Sequence, residues 1–162
     1  MTRAVSPLAV LWAATAAAYA FVVLGPGAAL IAMAGGAPPF DLRFAAYTLA
    51  EAQGYLGLIG AAGRMHYLAA VIPADMIFAT LFAVALPAST LRAGAGPAVA
   101  ALCALPGLCD LAENLTLARM LAEAGAGLDP RTVSRASVLT QAKWAALVMA
   151  AALMARALWR RR

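Results

Sequence analysis

Asp75, Asp110, Glu113 and Lys143 lie within apolar stretches where an ionisable group is costly, and Arg64 lies at the edge of one. Groups of this kind in membrane-spanning segments face a bundle interior or a cavity, and they mark ligand sites, proton relays or helix pairing. Asp110, Glu113 and Asn114 stand at i, i+3 and i+4, so a helix carries them as one stripe. Arg64 and Asp75 are eleven residues apart, which brings them to within about 20° on one helix face. Two prolines accompany these acids. Pro73 frees the carbonyl of Ala69 and Pro106 that of Leu102, and helices broken beside ionisable residues recur at transporter and ligand sites.

Several chemistries fit. As helix glue, Lys143 pairs with Glu113 and Arg64 with Asp110. As a binding or catalytic cavity, the basic groups orient a head while the acids accept hydrogen bonds. Three carboxyl groups against Lys143 and Arg64 leave one acid over, and a neutral acid beside an ionised one forms an acid–base pair. As a proton or ion path, the cluster is hampered by the little room four spans leave. Tyr67, one turn from Arg64, either closes a cavity mouth or joins an interfacial aromatic belt. The candidate ligand-binding set is therefore Arg64, Tyr67, Asp75, Asp110, Glu113, Asn114 and Lys143, with no catalytic residue assignable. His66 is the only histidine, which excludes bis-histidine haem ligation, and no Cys/His cluster offers a zinc site. It reads as a satisfied interfacial side chain. No metal or cofactor is expected.

The elements that position these residues follow from composition. Of 162 residues, 65% are hydrophobic, with twelve Lys or Arg and seven Asp or Glu. Too little polar surface exists to cover a water-soluble globule, and disorder needs the opposite balance. The chain is an all-α integral membrane protein, a single domain of four transmembrane helices at about 7–33, 64–86, 98–121 and 136–158. The formal charge of +5 gathers at segment ends, where it orients spans rather than binding nucleic acid. Counting from span ends at about 1.5 Å per residue, Asp75 lies roughly 16 Å deep, Asp110 roughly 13 Å, Lys143 roughly 10 Å and Glu113 roughly 9 Å. All are measured from the side bearing the first and third loops.

Local signals set the boundaries. Ser6-Pro7 and Asp129-Pro130 are N-cap and N1 pairs, and Gly25-Pro26-Gly27 breaks or kinks the first span. Ala9, Ala13, Ala16 and Ala20 form a small-residue face suited to close packing. Pro38-Pro39-Phe40-Asp41 reads as a turn opening an interfacial segment over about 41–60. Thr48…Glu51 is a capping box for a short surface helix over about 49–57. Gly54, Gly57, Gly60 and Gly63 point to a tight turn or close backbone contact. Pro87 and the 93–97 loop end the second span. Cys103 and Cys109 sit about 120° apart on one helix and cannot bridge. Arginine counting, with Arg3, Arg92 and Arg160 to Arg162 on one side, places both termini in the cytoplasm.

The pieces Gly60-Ala61-Ala62-Gly63-Arg64…Tyr67…Asp75 and Pro106…Asp110-Leu111-Ala112-Glu113-Asn114 resemble a group of small, uncharacterised bacterial four-helix membrane proteins. The resemblance covers roughly residues 40–121. It implies the same fold and polar cluster in a bacterial inner membrane, and it transfers no activity. A weaker likeness in topology, with an acid on the second span, is to the sterol-isomerase and sigma-2-receptor superfamily, which implies a lipid pocket. Three functions remain open: a protein holding a lipophilic molecule or membrane lipid in its bundle, an accessory subunit of a larger membrane complex, and a lipid-modifying enzyme using intramembrane carboxyl groups. A homodimer is a further expected state.

Overall fold

The computed structural model describes residues 5–160, so Arg3, Arg161 and Arg162 lie outside the described residues. The first helix, α1 (Pro7–Val22), is capped by the Ser6 hydroxyl, which accepts from the Ala9 amide at 3.1 Å. A wide turn with i→i+5 geometry at Val23–Gly27 contains Pro26, and α2 (Ala28–Met33) continues the span. The kink foreseen from Gly25-Pro26-Gly27 is this turn, with Gly25 out of helical geometry. A proline inside a helix removes one backbone bond and crowds the preceding turn, and a widened turn relieves both.

After a single 3₁₀ turn at Phe40–Leu42, α3 (Leu49–His66) begins at the capping box: the Glu51 carboxylate accepts from the Thr48 amide and the Thr48 hydroxyl from the Glu51 amide. Its first half buries Ala52, Tyr55, Leu56 and Ile59, the i, i+3, i+4, i+7 pattern of a one-faced helix. Gly60, at φ +61°, breaks the helical path. Only glycine takes that backbone readily, so the short helix ends there and the spanning part begins. A second wide turn, Tyr67–Val71, leads into α4 (Ile72–Arg92), which runs through Pro87 instead of stopping there. Pro87 sits late in the helix, where it kinks more easily than it terminates.

The remaining spans are uninterrupted: α5 (Pro97–Glu123) and α6 (Pro130–Trp159). Four segments are long and apolar enough to cross a membrane, Pro7–Met33, Leu49–Arg92, Pro97–Glu123 and Pro130–Trp159. Among the described residues there is no strand. The helices pack as an open row: α1 on α4, α4 on α5, α5 on α6. The ends of that row, α1 and α6, share no comparable packed face.

The α4–α5 seam is tight. A Cβ on Gly107 would come within 2.7 Å of the Ala79 carbonyl and the Ala83 backbone nitrogen, so backbone meets backbone without a side chain between. Small residues allow that approach where water supplies no drive for association. The alanine face of α1 does not work this way. Ala9, Ala13, Ala16 and Ala20 are exposed, and the helix buries Thr15 and Val22 instead. Its anchor is polar: the Trp12 indole N–H donates to Ser89 Oγ at 2.7 Å, a bond that dictates which face of α1 turns inward.

Candidate functional site

The α5 stripe behaves as its spacing demands. Asp110, Glu113 and Asn114 are all buried, in register with Cys103, Gly107, Leu117 and Leu121. On α6, Ser137, Thr140 and Lys143 follow each other at three-residue steps toward that stripe. On α4, Asp75 is 7% exposed, and the Asn114 amide donates to its Oδ2 at 2.8 Å. Three helices therefore contribute to one polar cluster.

Lys143 is its centre. Its ammonium donates to Asp110 Oδ1 at 3.0 Å and lies 2.7 Å from Glu113 Oε2. The second approach is off the line of a hydrogen bond, so that contact is chiefly coulombic. The other Glu113 oxygen accepts from the Thr140 hydroxyl at 2.5 Å, a charge-assisted length. Glu113 has no exposed surface. Removing the cation beside it would leave a buried, uncompensated carboxylate.

The third oxygen around Lys143 comes from the first loop: the Asp41 carbonyl, at 3.0 Å. Asp41 itself is buried, and its carboxylate accepts from the Tyr67 hydroxyl at 2.5 Å. The loop is held in place by Phe40, which has no exposed surface and packs its ring 4.8 Å from Tyr55, 5.0 Å from Tyr47 and 6.3 Å from Tyr67. The Tyr47 amide donates to Ser137 Oγ at 2.9 Å, tying the loop to α6. Burial pushes the Tyr47 phenol well above its ordinary range, so it stays neutral under the Arg43 guanidinium, 5.5 Å from its ring.

Six of the seven expected residues are thus brought together. Arg64 is not. It is half-buried, and among the described residues no carboxylate lies within ion-pair distance of it. The expected Arg64–Asp110 pair is replaced by Lys143–Asp110. The face shared by Arg64 and Asp75 assumed an ideal helix between them. The wide turn at Tyr67–Val71 adds a residue to the winding and rotates everything after it. Tyr67 is no belt residue, since it is 1% exposed and bonded to Asp41. His66 is satisfied, its Nε2–H donating to the Pro26 carbonyl at 2.9 Å, so the two wide turns are stitched together. Cys103 and Cys109 are free thiols, as their angular separation requires.

Asp41 is the residue the sequence reading missed, having been placed in a surface turn. One signal was present. Gly35-Gly36-Ala37-Pro38-Pro39-Phe40 contains no side chain suited to water, which is unusual for a loop meant to lie on a surface. With Asp41 in and Arg64 out, the cluster holds four carboxyl groups and one ammonium.

Beside the cluster is a cavity of about 370 Å³, at the lower end of the range that holds drug-sized ligands. It occupies the side of the row where α1 and α6 do not meet. Trp12 and Tyr19 of α1, Phe78 and Phe82 of α4, and Trp144 and Leu147 of α6 line its apolar length. Asp41, Asp75, Asp110 and Lys143 form its polar end, while Glu113 lies behind them. No protein-family model, curated protein or solved structure matches the chain, and the site stands on its own geometry.

Proposed function

We propose that this integral membrane protein holds a lipophilic molecule or membrane lipid in the cavity between α1 and α6, with its polar end at Asp41, Asp75 and Asp110. The observation that carries this reading is the pairing of an apolar chamber with an end wall of nine-tenths-buried carboxyl groups. Helix glue accounts for Lys143, Glu113 and one oxygen of Asp110. It accounts for one oxygen of Asp75, which Asn114 bonds across the α4–α5 seam, but not for the second, to which no donor among the described residues is bonded, nor for a chamber beside it. Apolar tails fit the chamber wall by burial of hydrocarbon surface, and the open side of the row gives passage from the lipid phase. A bacterial inner membrane with both termini cytoplasmic is the setting that the resemblance and the arginine distribution favour.

The test is native mass measurement of the gently solubilised full chain, beside a variant whose chamber is filled. Ala16 is exposed and lines the chamber, so Ala16→Trp occupies it without touching a packed seam. A co-purifying amphiphile on wild type that is lost from a folded Ala16→Trp supports the reading. A wild-type protein carrying no amphiphile, or a stoichiometric protein partner and no lipid, overturns it in favour of an accessory subunit.

A further inference from the structure

We propose that the occupant of this cavity carries a protonated primary amine at its polar end, rather than a carboxylate or a phosphate. The inference rests on the cavity reading above and follows from which hydrogen-bonding groups the chain has left unused. Among the described residues Lys143 is the only cation lining the chamber. An ammonium has three N–H donors, and three oxygens already surround this one within 3.0 Å: Asp41 O, Asp110 Oδ1 and Glu113 Oε2. The Tyr67 hydroxyl is spent on Asp41 Oδ1, and one N–H of the Asn114 amide goes to Asp75 Oδ2. An anionic head would therefore meet an ammonium already ringed by three oxygens, and the three carboxyl groups that line the chamber.

What remains open is one neutral donor, the indole N–H of the lining residue Trp144, against a larger set of acceptors. Asp41, Asp75 and Asp110 line the chamber, each is at most 9% exposed, and each keeps one oxygen to which no donor among the described residues is bonded. Those oxygens are Oδ2 of Asp41, Oδ1 of Asp75 and Oδ2 of Asp110. These oxygens are accessible rather than sealed in protein, and three such acceptors on residues lining one chamber suit a donor-bearing occupant. A primary ammonium brings three N–H groups and a positive charge, matching both the acceptors and the four-to-one excess of carboxyl groups over ammonium. Among the described residues no three such groups converge as metal ligands must, which separates an organic cation from a bare ion. The apolar walls then take the hydrocarbon part.

Two of the three tryptophans, Trp12 and Trp144, line the chamber and report on it. The full chain in phosphatidylcholine nanodiscs, whose lipid has no N–H on its head, is loaded with a bromine-labelled alkyl alcohol that quenches them. Dodecylamine, dodecyltrimethylammonium, dodecanol and dodecanoate then compete. The expected order places dodecylamine at least tenfold tighter than dodecyltrimethylammonium, which has the charge but no donors, with dodecanoate weakest. Equal affinities across the four, or dodecanoate as the tightest, overturn the amine while leaving the cavity standing. No quenching and no displacement by any of them overturns the cavity and the amine together. In Asp75→Asn the preference for dodecylamine should fall several-fold, and a folded variant that keeps it in full also overturns the proposal. Should that variant not fold, the wild-type series alone decides.

Discussion

The α5–α6 seam and the α1 side of the molecule use polar residues in opposite ways. At the seam, Lys143, Glu113, Thr140 and one oxygen of Asp110 satisfy one another, and Glu113 has no exposed surface. On the α1 side, Asp75 and Asp41 have a partner for one oxygen each and a chamber before the other. The seam consumes its charges; the open side leaves them available. Polar groups inside a membrane are read too readily as one kind of feature, and here two kinds stand within a few ångströms of each other.

Substitutions that strike only one side test that division. The largest effect belongs to Lys143→Met, which strips the sole cation from two buried carboxylates and should cost about 3–5 kcal/mol in unfolding equilibria. A loss under about 1 kcal/mol would show that the seam is not held by charge. Gly107→Ala drives a methyl into the backbone of α4 at 2.7 Å, and about 1–3 kcal/mol is expected from overpacking, read in the same assay. Thr140→Val keeps the shape but leaves one Glu113 oxygen without its donor, at about 1–3 kcal/mol.

Asp75→Asn belongs to the open side. It retains an acceptor for Asn114, so stability should change by less than about 1 kcal/mol while retention of a bound amphiphile drops. The reverse outcome, a large stability loss with ligand retained, would move Asp75 into the seam. Smallest is the acid response of the α6 N-cap. The Arg131 amide above all, with the Thr132 hydroxyl, holds the exposed Asp129 carboxyl below its ordinary value. Its folded value is depressed, so its contribution is present above the ordinary carboxylate range and lost as pH falls through the lowered folded value. Wild type and Asp129→Ala should differ slightly at neutral pH and converge in acid, as followed by thermal unfolding across pH.

Much of this was legible in the residues. Apolar length and caps located four spans, and the Thr48…Glu51 box located the start of the short helix, whose end, expected at about residue 57, falls at Gly60. The three-residue spacing on α5 delivered the buried stripe. Arg64 was misplaced because a period of 3.6 residues carries no trace of a widened turn, and the Tyr67–Val71 turn shifts the phase between it and Asp75. Asp41 was missed because its burial depends on Phe40 meeting Tyr47, Tyr55 and Tyr67, contacts among elements that no local pattern encodes. The alanines of α1 misled for a related reason: small residues permit close packing, but the Trp12–Ser89 bond chose another face.

The carbonyl of Asp41 and the ammonium of Lys143 that it receives are 102 residues apart in sequence. The acids of α4 and α5 therefore precede in the chain the ammonium that meets Asp110 and Glu113. Until α6 arrives, Asp75, Asp110 and Glu113 sit in helices with no cation to meet them, and the first loop has nothing to anchor its carbonyl. Closure of the polar end thus waits for α6 to pack, and until then the site does not exist.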